Sequence, residues 1–303
     1  MPNTMLRMGR VTVLLFLMFS LMLPYAAVFA DVKRGDSVIV LGADLTPSEK
    51  QRVLSEIGLL ESALEGMTVV TVTNADEHAA LDAYISPALI GKKALSSARI
   101  TFTDLGSGIE VKTHNITHVT PAMYEQALVT AGVQDARIFV TAPYPVSGTA
   151  ALTGVLKAFE VGSGKVLNTE RKDVAYAELA TTAKLGETYG REGISQLMSN
   201  LKAELAAGAF KSPAEIEAAI RSQAASLGLT LTDQDIKVLK DLLTRLKEAN
   251  IDWEGLKNEL NKIRQATSDW LSQPETQSFM QKMWQAIQNF FQMVWDWFMQ
   301  MMR

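Results

Sequence analysis

The sequence predicts an α+β protein: an N-terminal mixed α/β sheet domain with helices packed on it, followed by an all-α C-terminal helical module. Three observations predict it. Up to about residue 163, short apolar runs such as SVIVL, MTVVTVT and ARIFVTA alternate with segments that open on a polar cap. After Gly164 the strand signals stop, and apolar residues recur at spacings of three and four. All five tryptophans lie at or beyond residue 253, so composition changes again near the end.

The elements follow in order. Arg7 and Arg10 precede the apolar run VTVLLFLMFSLML, and Pro24 and YAAVFA lead into Asp31. A basic start, a short apolar core and small residues before a polar junction make a secretory signal peptide over 1–30, with cleavage before Asp31. The apolar run is shorter than the ~20 residues that span a bilayer. SVIVL (37–41) is a strand. LTPSE then opens a helix with Thr46 as cap, Pro47 in the first turn, Glu49 closing a capping box and Gly58 as stop. MTVVTVT (67–73) is a second strand, and TNADE starts a helix from Asn74. ARITFTD and GIEVKTH, alternating about Gly106-Ser107-Gly108, read as a hairpin. Thr120, Pro121 and Gly132 bracket another helix, ARIFVTA (136–142) is a strand, and Ser147 is expected to cap a helix carrying Leu152, Val155, Leu156 and Phe159 on one face. Strand and helix signals thus define a mixed domain over 31–163, and 164–210 holds connecting helices.

Ser212, Pro213 and Glu215 open a helical module over 211–273. Thr232 caps a helix with an Ile236, Leu239, Leu243, Leu246 stripe. Asp252 caps another with Trp253, Leu256, Leu260, Ile263 and Trp270 on one side. The short connection between them predicts antiparallel neighbours.

Charge and composition exclude several classes. The formal net charge is −4, more acidic once Arg7 and Arg10 are removed, and no basic stripe exists to track nucleic acid. With no cysteine there is no thiolate site, no lipid-anchored cysteine and no disulfide, which an exported chain with a sizeable core does not need.

VIVLGADLTPSE, VTVTNADE, ALVTAG and above all YPVSGTAALTG (144–154) resemble the domain of unknown function 1002 family of exported bacterial proteins, over nearly all of the chain beyond residue 30. The resemblance implies a secreted protein of about this length. It supplies no activity, cofactor or catalytic residue.

Candidate chemistry is sparse. His114 and His118 stand four apart, but His114 belongs to the polar side of an alternating strand and no third ligand has a position, so no metal is expected. His78 is weaker still. Ser147-Gly148 lacks the G-x-S-x-G frame, and no GK[ST] loop is present. No motif specifies a reaction or a cofactor. One constellation remains. If the strands at 37–41, 67–73 and 136–142 run parallel, their C-terminal ends bring Asp44, Thr73, Asn74, Tyr144, Ser147 and Thr149 to one sheet edge above helix N-termini, where small ligands bind in open sheets. Asp44 and Ser147 would then line the main polar cleft. The alternative is that all six are caps and turn formers.

The end of the chain reads FMQKMWQAIQNFFQMVWDWFMQMMR (279–303). Met280, Met283, Trp284, Ile287, Phe290, Phe291, Val294, Trp297, Phe298 and Met301 fall on one broad helical face, opposite a strip of glutamines and Asp296. As a helix it is about 37 Å long, but a mid-span Asp alone costs roughly 2.5–3.5 kcal/mol on insertion, and the glutamines add desolvation. Residues 274–303 therefore read as an amphipathic helix that docks on a membrane surface or a protein partner. The expected function is that of a secreted or envelope-associated, non-catalytic binding module, extracytoplasmic and held at most peripherally on the outer membrane surface of the cell. The alternatives are a homo-oligomer closed by this helix, or a hydrolase or small-ligand-binding protein using the Asp44/Ser147 edge.

Overall fold

A computed structural model describes residues 35–149 and 151–272. The expected signal peptide at 1–30 and the expected amphipathic helix at 274–303 lie outside the described residues.

Five strands form one mixed sheet: β1 (Ser37–Gly42), β2 (Thr68–Val72), β3 (Ser97–Phe102), β4 (Ile109–Ile116) and β5 (Ala136–Val146), in the order β2-β1-β3-β5-β4. β1 and β2 are parallel, as are β4 and β5, while β3 lies between β1 and β5 antiparallel to both. The sheet is thus two β-α-β units sewn together by one reversed strand. The expected 98–114 hairpin does not form. The 103–108 connection instead steps across the start of β5, where Thr103 N–H donates to Asp135 O (2.8 Å) and Gly108 N–H to Asp135 Oδ1 (3.0 Å). Two glycines at positive φ, Gly106 and Gly108, give a turn signal, but the turn serves a crossover.

The helices are α1 (Pro47–Ile57), α2 (Asn74–Leu81), α3 (Pro87–Ile90), α4 (Pro121–Ala131), α5 (Ala151–Ser163), α6 (Thr169–Tyr189), α7 (Arg191–Ala206), α8 (Pro213–Ser226), α9 (Asp233–Glu248) and α10 (Trp253–Ser272). Caps read from sequence recur at Thr46 (with Glu49 completing the box), Thr120, Ser212 and Thr232. Ser147 is not next to the helix it was expected to cap: β5 runs on to Val146 and α5 begins only at Ala151. Asn74 is the first helical residue, because Thr73 takes the cap with Asp76 in a reciprocal box.

Alternation along the strands assigns the two faces. Ile39, Leu41 and Phe139 pack under α1 with Val53, Leu54 and Ile57. Val38, Val40, Val70, Val72, Ala98, Ile100, Ile138 and Val140 face α4 and α5, in a continuous core that also takes in Ile194, Leu239 and Ile263. Among the described residues, one face thus carries α1 with a 3-10 turn at Glu61–Gly66, and the other carries stacked helical layers. α9 packs on α6 and α8, whereas α10 packs on α7 and α4, so the two are not the antiparallel pair the short connection suggested. Leu256, Leu260 and Ile263 are more than nine-tenths buried, and that apolar stripe finds a better partner in α7 than in α9.

Candidate functional site

The C-terminal ends of β1, β2, β4 and β5 share one edge, as the sheet directions require. The structure gathers the six candidates there into two groups with separate tasks.

On the β1–β2 side the task is to hold the 91–96 loop. β1 ends at Gly42, where a Cβ would come within 2.2 Å of the Ala94 carbonyl, so only glycine lets the loop pass. Asp44 closes a ring with that residue: its N–H donates to Ala94 O (3.2 Å), and Ala94 N–H donates to Asp44 Oδ2 (2.8 Å). Thr73 and Asp76 exchange bonds at the start of α2, and the Thr73 N–H and hydroxyl hold the Asp76 carboxyl below its ordinary range. Asn74 Nδ2 donates to Gly91 O (3.3 Å) and to Glu77 Oε2 (3.2 Å). Glu77 is only 2% exposed, and burial pushes its carboxyl up to about 7, the Asn74 bond opposing and the Asp44 charge reinforcing the rise. His78 sits between Asp82 and Gly91 O, which together hold its imidazole above the ordinary value.

On the β4–β5 side the task is to close a chain crossing. Thr117 N–H and hydroxyl both donate to Val146 O (2.9 and 2.8 Å), and the buried Tyr124 hydroxyl donates to Gly148 O. Gly148 has φ 86°, and a Cβ there would meet Ile116 Cγ2 at 2.3 Å. Ser147 and Thr149 hydroxyls face each other at 3.3 Å, Thr149 is buried, and Tyr144 is exposed. The adjacent His118 donates its backbone N–H to Ser147 O (3.2 Å), while its ring lies against Thr117 Oγ1 (2.8 Å).

The histidines of HNITH take different carboxylates. His114 Nδ1 lies 3.0 Å from Glu56 Oε2, while His118 Nε2 lies 3.2 Å from Glu187 Oε1. The Thr141 hydroxyl donates to the same Glu56 oxygen. The carboxylate therefore stands between hydroxyl and imidazole, so His114 is not placed to take the Thr141 proton. Among the described residues, no group of three or more His, Asp or Glu side chains is placed to hold a metal ion, and no helix is long and apolar enough to cross a membrane.

Among the described residues, cavities lie at three places. One of about 710 Å³ lies at the opposite end of the sheet between Asp135 and Lys262; one of about 600 Å³ lies against β4 beside Glu56 and His114; one of about 320 Å³ lies among Thr120, Glu192 and Thr267. Neither Asp44 nor Ser147 lines any of the three.

One polar cluster escaped the sequence reading. Lys202 of α7 is fully buried, and its Nζ donates to Glu178 Oε1 on α6, and to Gln126 O and Thr130 Oγ1 on α4, each at 2.7 Å. All three ammonium protons are used. Burial pushes the lysine down and Glu178 opposes that shift. The signal was there: Lys202 stands four residues after Met198 and three before Leu205, on the apolar side of its helix, and Glu178 occupies the matching position between Val174 and Thr182.

Fold and edge together define an α+β scaffold whose polar residues at the sheet end hold loops and caps. A family described as protein of unknown function (DUF1002) matches residues 41–263, and this chain belongs to it. It is 42% identical over 277 residues to uncharacterized protein YpuA of Bacillus subtilis (strain 168), covering 91% of this chain and 92% of that one. No solved structure matches.

Proposed function

We propose that the protein is an exported, envelope-associated interaction module, with a non-catalytic α+β body and a C-terminal segment that docks on a membrane surface or protein partner. The observation that carries the reading is the use made of the sheet edge. Asp44, Thr73 and Asn74 spend their hydrogen-bonding atoms on Ala94, Asp76, Gly91 and Glu77, which leaves those groups committed to architecture rather than to a substrate. The basic-apolar-small pattern of 1–30 supports export. The Trp, Phe and Met face of 279–303 supports docking, since these residue types suit adaptable binding faces and water–lipid boundaries.

The test uses the chain from residue 31 onward with neutral vesicles at low and high salt, following tryptophan fluorescence. Glu275, Lys282, Asp296 and Arg303 balance in sign, so a lipid-induced blue shift should be largely insensitive to salt and absent without 275–303. No shift, with an unchanged monomer and a large loss of melting temperature on that deletion, would make the segment part of the core. A loss of self-association on deletion would make it an oligomer seam.

A further inference from the structure

We propose that Glu77 and His78 form a two-proton latch that holds the 91–96 loop over the end of β1 and loosens it as each proton is lost. The inference goes beyond the docking reading and does not depend on it.

The geometry of His78 carries it. Nδ1 lies 2.7 Å from Asp82 Oδ1 and Nε2 lies 3.0 Å from Gly91 O. Both partners are acceptors, and a neutral imidazole has a single N–H, so only the imidazolium makes both bonds. On losing a proton the ring keeps the charge-assisted bond to Asp82 and turns a lone pair toward the Gly91 carbonyl. The same carbonyl is held by Asn74 Nδ2, which is shared with Glu77 Oε2. Once Glu77 ionises, its charge draws that amide toward itself. It also places a buried anion near Asp44, the residue that clamps Ala94. Both deprotonations therefore loosen the same loop, one at Gly91 and one toward Ala94.

Charges on the neighbouring elements leave this pair in control. Helix α2 itself adds Asp76, which is capped by Thr73 and met by Lys157 of α5 at 3.5 Å. From α6, Tyr176 packs on the Leu81 cluster, and Asp173 takes the Tyr84 hydroxyl and Arg245. α3 carries no titratable side chain, and the loop contributes only the exposed Lys92 and Lys93. Gly91 has φ 86°, so the hinge of the loop sits where a glycine is required.

The test is hydrogen exchange on the chain from residue 31 onward, read as protection factors so that the intrinsic pH dependence of exchange is removed. Between about pH 6 and pH 8.5 the 86–97 segment should lose about tenfold or more in protection beyond any loss shared with α9. Glu77→Gln should shrink that loss, and His78→Ala should give low protection at both pH values. Imidazole nitrogen shifts should show His78 doubly protonated at about pH 6. Protection that changes less than about twofold, an equal loss in α9, a wild-type response in His78→Ala, or a neutral His78 at that pH would each overturn the latch.

Discussion

Replacing Lys202 with methionine isolates the worth of the buried ion pair. The substitution keeps much of the side-chain length, removes the charge and leaves Glu178, itself 1% exposed, with Thr130 as its remaining donor. Breaking a buried pair from one side typically costs about 3–5 kcal/mol, because the surviving charge has no counterion. For a domain of this size each kcal/mol moves the melting temperature by about 2–4 °C, so Tm should fall by roughly 6–20 °C. The loss has a pH signature. A stranded buried carboxylate binds its proton more tightly folded than unfolded, so the deficit should widen as pH rises above the ordinary glutamate range. The double variant Lys202→Met/Glu178→Leu should recover most of the loss or exceed wild type, since apolar replacement of a buried pair is often neutral or stabilising. Urea unfolding followed by circular dichroism at about pH 5 and pH 8 measures all three proteins. A single-variant loss below about 1 kcal/mol, or a double variant no more stable than Lys202→Met, would refute the reasoning.

Three further outcomes follow from the described contacts. Glu77 titrates near 7 in the fold against an ordinary 4.5, so the folded state holds the extra proton between those values. Its contribution is fully present below about 4.5 and lost as pH rises through 7, a fall on the order of 3 kcal/mol that Glu77→Gln should flatten in urea titrations. Gly148→Ala forces a Cβ against Ile116 at a positive φ and should cost about 1–3 kcal/mol, read as a drop in urea midpoint. Gly42→Ala drives a methyl into the Ala94 carbonyl. It should cost about 1–3 kcal/mol and lower exchange protection in 91–96, which distinguishes it from Gly148→Ala.

Much of the fold is legible because its signals are local. Thr46-Pro47-Glu49 and Ser212-Pro213-Glu215 each complete a cap within four residues, and both caps form as read. Long-range pairing is not local. Gly106-Ser107-Gly108 looks the same in a hairpin turn and in a step across β5, and only Asp135 distinguishes them, 27 residues from Gly108. The partner of α10 was equally hidden, since an apolar stripe says that a helix packs and not on which neighbour. At the sheet edge the residue types and their location could be read. Their division into two groups could not, because it depends on where the 91–96 loop crosses Gly42. Glu77 carries no signal in the sequence because a helix of only eight residues shows no periodicity that would mark a buried glutamate, and His78 reads only as a weak metal ligand.

The reversed central strand has a consequence for how the protein comes apart and together. Each parallel pair closes locally, β1 to β2 across about 30 residues and β4 to β5 across a similar span. β3 must reach both, pairing Val38 with Ile100 and Ile100 with Ile138. Neither half can detach from the other without stripping one flank of that strand, so its ladder couples the two halves into one cooperative unit. The same coupling delays assembly: the sheet is complete only when a mid-sequence segment has been inserted between two others, a high-contact-order step that slows folding. One short strand thus sets both the cooperativity of unfolding and the pace of folding.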